Sequence, residues 1–406
     1  MGSGFGFTGD LGGSGENMDL GALFTQLGKI FSGGQAPENL IRDIARSKIT
    51  SGDWTLGEQE SADIISALHL ADLWLNEATM FPSALVNPKS WSKAEWVEST
   101  LAGWNALIGP MTKTLSEGLN QSLKQMQNEF GMDGANNPFA AFSTGPMAGI
   151  FEQMTSMMLA QQVGNTVGEL AKITIGSSDA CLPLAPKGVA ALIPANVKTW
   201  GEGMGIDDHQ IRTFLALREV ATTRLLTQVP WLKDHLVSTI SRYSQGIHID
   251  VQAISDQAMN VMNAIENGAD PRTLFTPDST PEQEQALADL ENLLALIEGW
   301  VTQVVSVAIA GRLPAQIQLE EISRRQRATS NASTALFQSL VGLEVSPRLT
   351  REATNFWVIV EQARGITGRD DLWSHAGLLP NAAAIKDPDK FIQEITIPDD
   401  LSGLEP

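Results

Sequence analysis

Residues 292 to 311 read NLLALIEGWVTQVVSVAIAG, twenty positions in which Glu298 is the one charge. A helix of this composition has no polar face broad enough to meet water, so it must be enclosed, by lipid or by other helices. Glu298, together with Asn292, Thr302 and Gln303, favours the second setting, because polar groups inside a bilayer are costly. The rest of the chain must then supply the enclosing helices. PENLIRDIARSKI, EQESADIISALHLADLWLNEATM and the stretch from SWSKAEWVEST onward repeat apolar residues at three and four, the spacing of one helix face. Ser90 or Ser92 is placed to cap the last of these.

The expected fold is mostly α. A small β element is expected near residues 173–195, where ITIGSSDACLPLAPKGVAALIPANV breaks the helical rhythm with three prolines and short β-branched runs. Just before it, Gly164 and Gly168 stand one turn apart in a Met-rich helix and would let another helix approach closely. Residues 1–18 are Gly-rich and offer almost nothing to bury, so they are expected to be disordered. Residues 19–393 are expected to form one domain, with the Pro- and Asp-rich end, 394–406, as a flexible tail after WSHAGLLP.

Composition narrows the possible partners. Against 27 Lys and Arg stand 47 Asp and Glu, a net charge of −20, which argues against nucleic acid or an anionic membrane as the main partner. The single cysteine, Cys181, rules out an intramolecular disulfide and a cysteine-rich zinc site, and it reads as a small buried residue. No basic, apolar leader opens the chain, so a reducing, cytoplasmic setting is expected. No Gly-x-Ser-x-Gly elbow and no phosphate-binding Gly-rich loop ending in Lys-Ser/Thr occurs. Arg324, Arg325 and Arg327 read as a paired helix face.

The helix over 211–229 carries the chemistry. Ile211, Phe214, Leu215, Ala221, Leu225 and Leu226 form one apolar sector, yet Arg218 and Thr222 fall near its centre and Glu219 lies on its flank. An unpaired buried charge costs several kcal/mol, so an acid must face Arg218. Glu219 points about 100° away, which directs the search to another helix. In the zinc-binding pattern His-Glu-x-x-His, two histidines four apart hold the metal and the Glu polarises its water. Positions 218, 219 and 222 read Arg, Glu, Thr instead. None of the five histidines, His69, His209, His235, His248 and His375, lies three or four residues from another.

The surroundings of this helix give it a context. LREVATTRLLTQVPWLKDHL, with Val229, Pro230, Trp231 and Leu232, resembles the zinc-binding stretch of an actinobacterial family of zincin-like metallopeptidases, often labelled simply as hydrolases. ALIPANVKTWGEGMGID, LIEGWV, RRQRATSNASTALFQSLVGLEVSPR and EQARGITGRDDLWSHAGLLP look like the same family in the same order, so the resemblance spans nearly the whole chain. It implies a zincin-like helical domain, zinc as the family's cofactor, Glu219 as general base and Glu298 as the ligand from a later helix. With Arg218 and Thr222 at the two histidine positions, the motif is degenerate. The expectation is a chain without metal and without peptidase activity, in which Arg218 takes the place of the cation and pairs with Glu298. Two alternatives stay open: an active zinc-dependent metallopeptidase using Glu219, and a module that binds a peptide or protein without cleaving it.

Overall fold

The computed structural model describes residues 37–49, 53, 57–107, 109, 146–245, 280–329 and 349–396. The Gly-rich start, the loop read at GMDGANNPFAAFSTGPM up to residue 145, the helix read at DVQAISDQAMNVMNAI, the end of the helix read through FQSLVGL, and the tail from residue 397 lie outside the described residues.

The apolar run is the centre of a helix, Pro281–Ile309. In chain order the described helices are α1 (Pro37–Ile49), α2 (Glu58–Leu75), α3 (residues 93–107), α4 (Pro146–Ile173), α5 (Pro194–Gly201), α6 (Asp208–Gln228), α7 (Pro230–Gln245), α8 (Pro281–Ile309), α9 (Gln316–Thr329), α10 (Thr350–Asp370), α11 (Ala382–Lys386) and α12 (Pro388–Thr396). Helix α8 starts at a capping box, in which Thr280 Oγ1 accepts from Gln283 N and Gln283 Oε1 accepts from Thr280 N, with Pro281 in the first helical position. Its length and composition suffice to cross a bilayer. Instead, 72 % of its apolar window is buried, packed against α2, α6, α7 and α10 as a core helix is. Helix α10 comes closest at Gly299, where an added Cβ would stand 2.8 Å from the Ala353 carbonyl carbon.

Glycine serves the same purpose where α4 meets α1. Cβ atoms on Gly164 and Gly168 would fall 2.8 to 3.0 Å from Ile44 and Lys48, so these are the close-approach positions that the sequence indicates. The stretch 217–236 is two helices rather than one. Asp207 caps α6 by accepting from His209 N and Gln210 N, and Pro230, lacking an N–H, ends α6 and opens α7.

The small β element is present around residues 176–192, but half of it comes from elsewhere. Ala191–Leu192 (β2) pairs in parallel with Lys89–Ser90 (β1), and Gly176 makes an isolated antiparallel bridge to Leu192. Ser90 is therefore a strand residue and not a cap. Ser92 is the cap: its Oγ accepts from Glu95 N at 3.1 Å while Glu95 Oε2 accepts from Ser92 N at 2.8 Å. The end of the chain also differs from the unwinding expected after WSHAGLLP. Asn381 caps α11 by accepting from Ala383 N and Ala384 N. Helix α12 follows and runs to Thr396, three residues past the expected end of the domain at 393. Phe391 of α12 packs on Phe356 of α10 with ring centroids 5.2 Å apart, which holds the segment to the domain.

Candidate functional site

Helix α6 is buried on every side over residues 213–225. Arg218 and Thr222 face α8 and α9 beside a cavity of about 270 Å3, whose wall also includes Asp179, Glu219, Trp200 and Arg327. The Arg218 guanidinium lies on Glu298 of α8 through its Nη2 atom, and its Nη1 donates to Thr302 Oγ1 at 3.4 Å. The acid demanded by a buried arginine is thus the lone charge of the apolar helix. Thr222 Oγ1 donates to the Arg218 carbonyl at 2.9 Å and is satisfied within its own helix.

A second guanidinium reaches the same carboxylate. Arg327 Nη1 is 3.0 Å from Glu298 Oε2, and Arg327 Nη2 is 2.7 Å from Asp179 Oδ1. Asp179 Oδ2 in turn accepts from Ile175 N at 3.0 Å, which fixes the loop that leads from α4 to β2. The result is a row of alternating charges: Arg218, Glu298, Arg327, Asp179. Burial alone would raise the Glu298 carboxyl, but the two guanidiniums outweigh it and hold it below the ordinary carboxylate range. For Arg218, burial is the largest influence and the neighbouring Arg327 adds to it, so its ionisation is pushed down from the usual arginine value. Glu298 acts in the opposite direction and keeps the pair together.

Glu219 faces away from this row and into the loop. Ser177 Oγ and Ala191 N donate to its Oε1, while Ser178 N (3.1 Å) and Ser178 Oγ (2.9 Å) donate to its Oε2. Four donors engage both oxygens, about as many as a carboxylate accepts. Gly176 is required here, because a Cβ would lie 2.5 Å from Glu219 Oε2. Burial raises this carboxyl to about 7 despite the serine hydrogen bonds. Ser177 Oγ also reaches the Val189 carbonyl at 3.2 Å, so it can donate there while accepting from a protonated Glu219.

Cys181, read as a small buried residue, sits on the row itself. Its Sγ is 3.7 Å from Glu298 Oε2 and its backbone is left-handed, with φ 56°. Burial and then Glu298 push the thiol up, so it stays protonated and is a poor nucleophile. The remaining described histidines stand elsewhere. His69 and His209 are exposed, His235 packs edge-on against Trp231, and His375 accepts from Gly377 N. Among the described residues, no three His, Cys, Asp or Glu side chains converge to hold a metal ion.

Arg218, Glu298, Glu219 and Thr222, chosen from sequence, all lie in this region. Arg327, Asp179, Ser177 and Ser178 were not chosen. Arg327 carried a weak signal, since it stands apart from Arg324 and Arg325, both of which pair with Glu321. The Ser-Ser-Asp triplet at 177–179, polar in an otherwise apolar stretch, was the signal for the loop.

The model of a family described as zincin-like metallopeptidase matches residues 38–392. A crystal structure from Chloroflexus aurantiacus, described as "a putative hydrolase with a novel fold", superposes with a TM-score of 0.60 over 88 % of this chain and 97 % of that one. Its sequence identity is 17 %, so it bears on the fold alone. No curated protein matches the chain. The fold, the order of segments around α6 and α8, and a family match over nearly the whole described length agree: the chain belongs to the zincin-like metallopeptidase family.

Proposed function

We propose that this chain is a zincin-like family member whose zinc-binding motif is degenerate, that it binds no catalytic zinc and cleaves no peptide, and that its former catalytic cleft binds a peptide or protein segment. The observation that carries this reading is the Arg218 guanidinium on Glu298. A catalytic zinc needs about three protein ligands besides its water. Here position 218 offers only donors, the Thr222 hydroxyl is spent inside its helix, and both Glu298 oxygens are taken by guanidiniums. A divalent ion at this place would also lie against two fixed positive charges. The donor set does not fit zinc.

One observation favours the enzymatic alternative. Glu219 is buried beside the cavity with its carboxyl raised to about 7, the range of a general base. A base must offer a free lone pair, however, and four donors occupy this carboxylate. Its geometry supports a tie between α6 and the 176–191 loop.

Metal analysis of the full chain, purified without chelators, tests the reading. Less than about a tenth of a zinc per chain is expected, whereas near-stoichiometric zinc overturns it. Arg218→His with Thr222→His supplies two imidazoles beside Glu298. We expect this variant to take up about one zinc per chain, since Glu298 is already aimed at the position vacated by the guanidinium.

A further inference from the structure

A second cavity, of about 280 Å3, lies behind the loop that carries Ser177 and Ser178. Gly176 and Glu219 line the first cavity and the two serines line the second, so the Glu219 clamp divides them. Leu182, Ala185, Val189, Leu226 and Pro230 make most of its wall apolar. We propose that this cavity binds an aliphatic carboxylate about the size of one residue, either a free acid or the C-terminal residue of a peptide.

The first argument is a stranded donor. Threonines in α6 donate to the carbonyl four residues back, as Thr213 does to His209 and Thr222 to Arg218. Thr223 lines the second cavity, and its acceptor would be the Glu219 carbonyl. Ser178 Oγ stands against that carbonyl instead, at 3.3 Å, its one proton shared between it and Glu219 Oε2 at 2.9 Å. Thr223 Oγ1 is left buried and without a partner among the described residues, in a residue only 6 % exposed. A buried hydroxyl without an acceptor is destabilising, and a ligand oxygen at this wall would relieve it.

The second argument is charge. Lys187 and Lys233 both line the cavity, both are exposed, and neither pairs with an acid among the described residues. Two cations on one cavity, unpaired among the described residues, stand out in a chain of net charge −20. Lys233 lies in the first turns of α7, whose N-terminus at Pro230 forms part of the wall and adds partial positive charge. An acceptor at Thr223, positive charge at the lysines and an apolar wall between them together describe a carboxylate on a short aliphatic body. The cavity lies near the lower limit of small-molecule sites, which restricts that body to a few carbons.

The test is calorimetric titration of the full chain with isovalerate, isovaleramide, acetyl-Ala-Ala-Leu and its C-terminal amide. Isovalerate or the free-acid peptide is expected to bind at least about tenfold more tightly than its amide. Tighter binding of the peptide identifies the source as a C-terminus, and binding of isovalerate without the peptide identifies a free acid. Lys187→Ala with Lys233→Ala should weaken binding about tenfold. Thr223→Val should weaken it several-fold while the melting temperature of the free protein holds or rises, because the stranded hydroxyl is gone. Equal binding of acids and amides, no loss in the double lysine variant, or no binding of any probe at about 10 mM overturns the proposal. The site shares no charged side chain with the Arg218–Glu298 row, so either reading can fail alone.

Discussion

Glu298 and Trp300 stand two residues apart on α8, about 200° around the helix, and each anchors a buried polar cluster. On the Trp300 side, Asp370 is the hub. Its Oδ1 accepts from Trp300 Nε1 (2.8 Å) and Arg369 Nε (2.7 Å), and its Oδ2 accepts from Thr79 Oγ1 (2.6 Å) and Met80 N (2.8 Å). Arg369 continues to Glu361 at 2.6 Å and to the Ala78 carbonyl at 2.8 Å, with its guanidinium over the Trp300 ring. That cluster is closed, and both carboxylate oxygens and the guanidinium are engaged. On the Glu298 side the row borders a cavity, two guanidiniums share one carboxylate, and Arg218 Nε has no partner among the described residues. A closed cluster ties α8, α10 and the turn after α2 into one body. The row at Glu298 instead borders a space and keeps one donor unused.

The sharpest break between the two is in what each loses with its central acid. Asp370→Asn leaves Arg369 with Glu361 alone and sets an amide NH2 against donors in a dry core, and we expect a loss of about 3–5 kcal/mol in urea denaturation. Glu298→Gln should cost less, about 2–3 kcal/mol, because Arg327 keeps Asp179 and the cavity lets water reach Arg218. The reverse order would show that the row at Glu298, and not the closed cluster, is the structural one.

Paired replacement sharpens the contrast. Arg218→Met with Glu298→Leu removes both charges together and should lie within about 1–2 kcal/mol of the parent. Arg369→Met with Asp370→Leu should remain well below its parent, because Thr79, the Met80 N–H and Trp300 lose their acceptor. Thermal or urea midpoints of the two double variants and the parent decide this.

The two acids beside α6 also differ in the sign of their pH dependence. The Glu219 carboxyl is raised from 4.5 to about 7 in the folded chain, so the folded state holds this proton more tightly than the unfolded chain does. Its contribution is complete below about pH 4.5 and is lost as the pH rises to about 7, roughly 3 kcal/mol across the window. Glu298 has the opposite sign: its carboxyl is lowered, so its contribution is present at neutral pH and is lost in acid. Glu219→Gln keeps an acceptor for Ser178 N and should flatten the decline between pH 5 and 7 relative to the parent. An unchanged slope would remove Glu219 from the account.

Part of this was legible from residues alone. The need for an acid opposite Arg218 follows from the cost of a buried charge in any fold, and Glu298 was the lone acid in a helix that had to be central. Helix α8, the Ser92 cap and the Gly164/Gly168 approach follow from local spacing in the same way. Other features carried little local signal. The pairing of Lys89–Ser90 with Ala191–Leu192 joins two short segments about a hundred residues apart, and neither has strand periodicity. The helices at 382–396 are short and Pro-interrupted, and they persist because Phe391 and Ile385 are held by α10 and its surroundings.

By itself, then, the sequence determined that a buried arginine sits at the first motif position, that it requires a carboxylate, and that the central helix offers one. Tertiary structure alone decided that Glu298 would serve two guanidiniums, with Arg327 and Asp179 arriving from segments 148 residues apart, and that Glu219 would turn into the 176–191 loop under four donors. The physical reason is the range of the forces. Periodicity, capping and the cost of an unpaired charge act within a helix or independently of fold. How many partners a charge acquires, and whether water can reach it, depends on which distant segments pack against it.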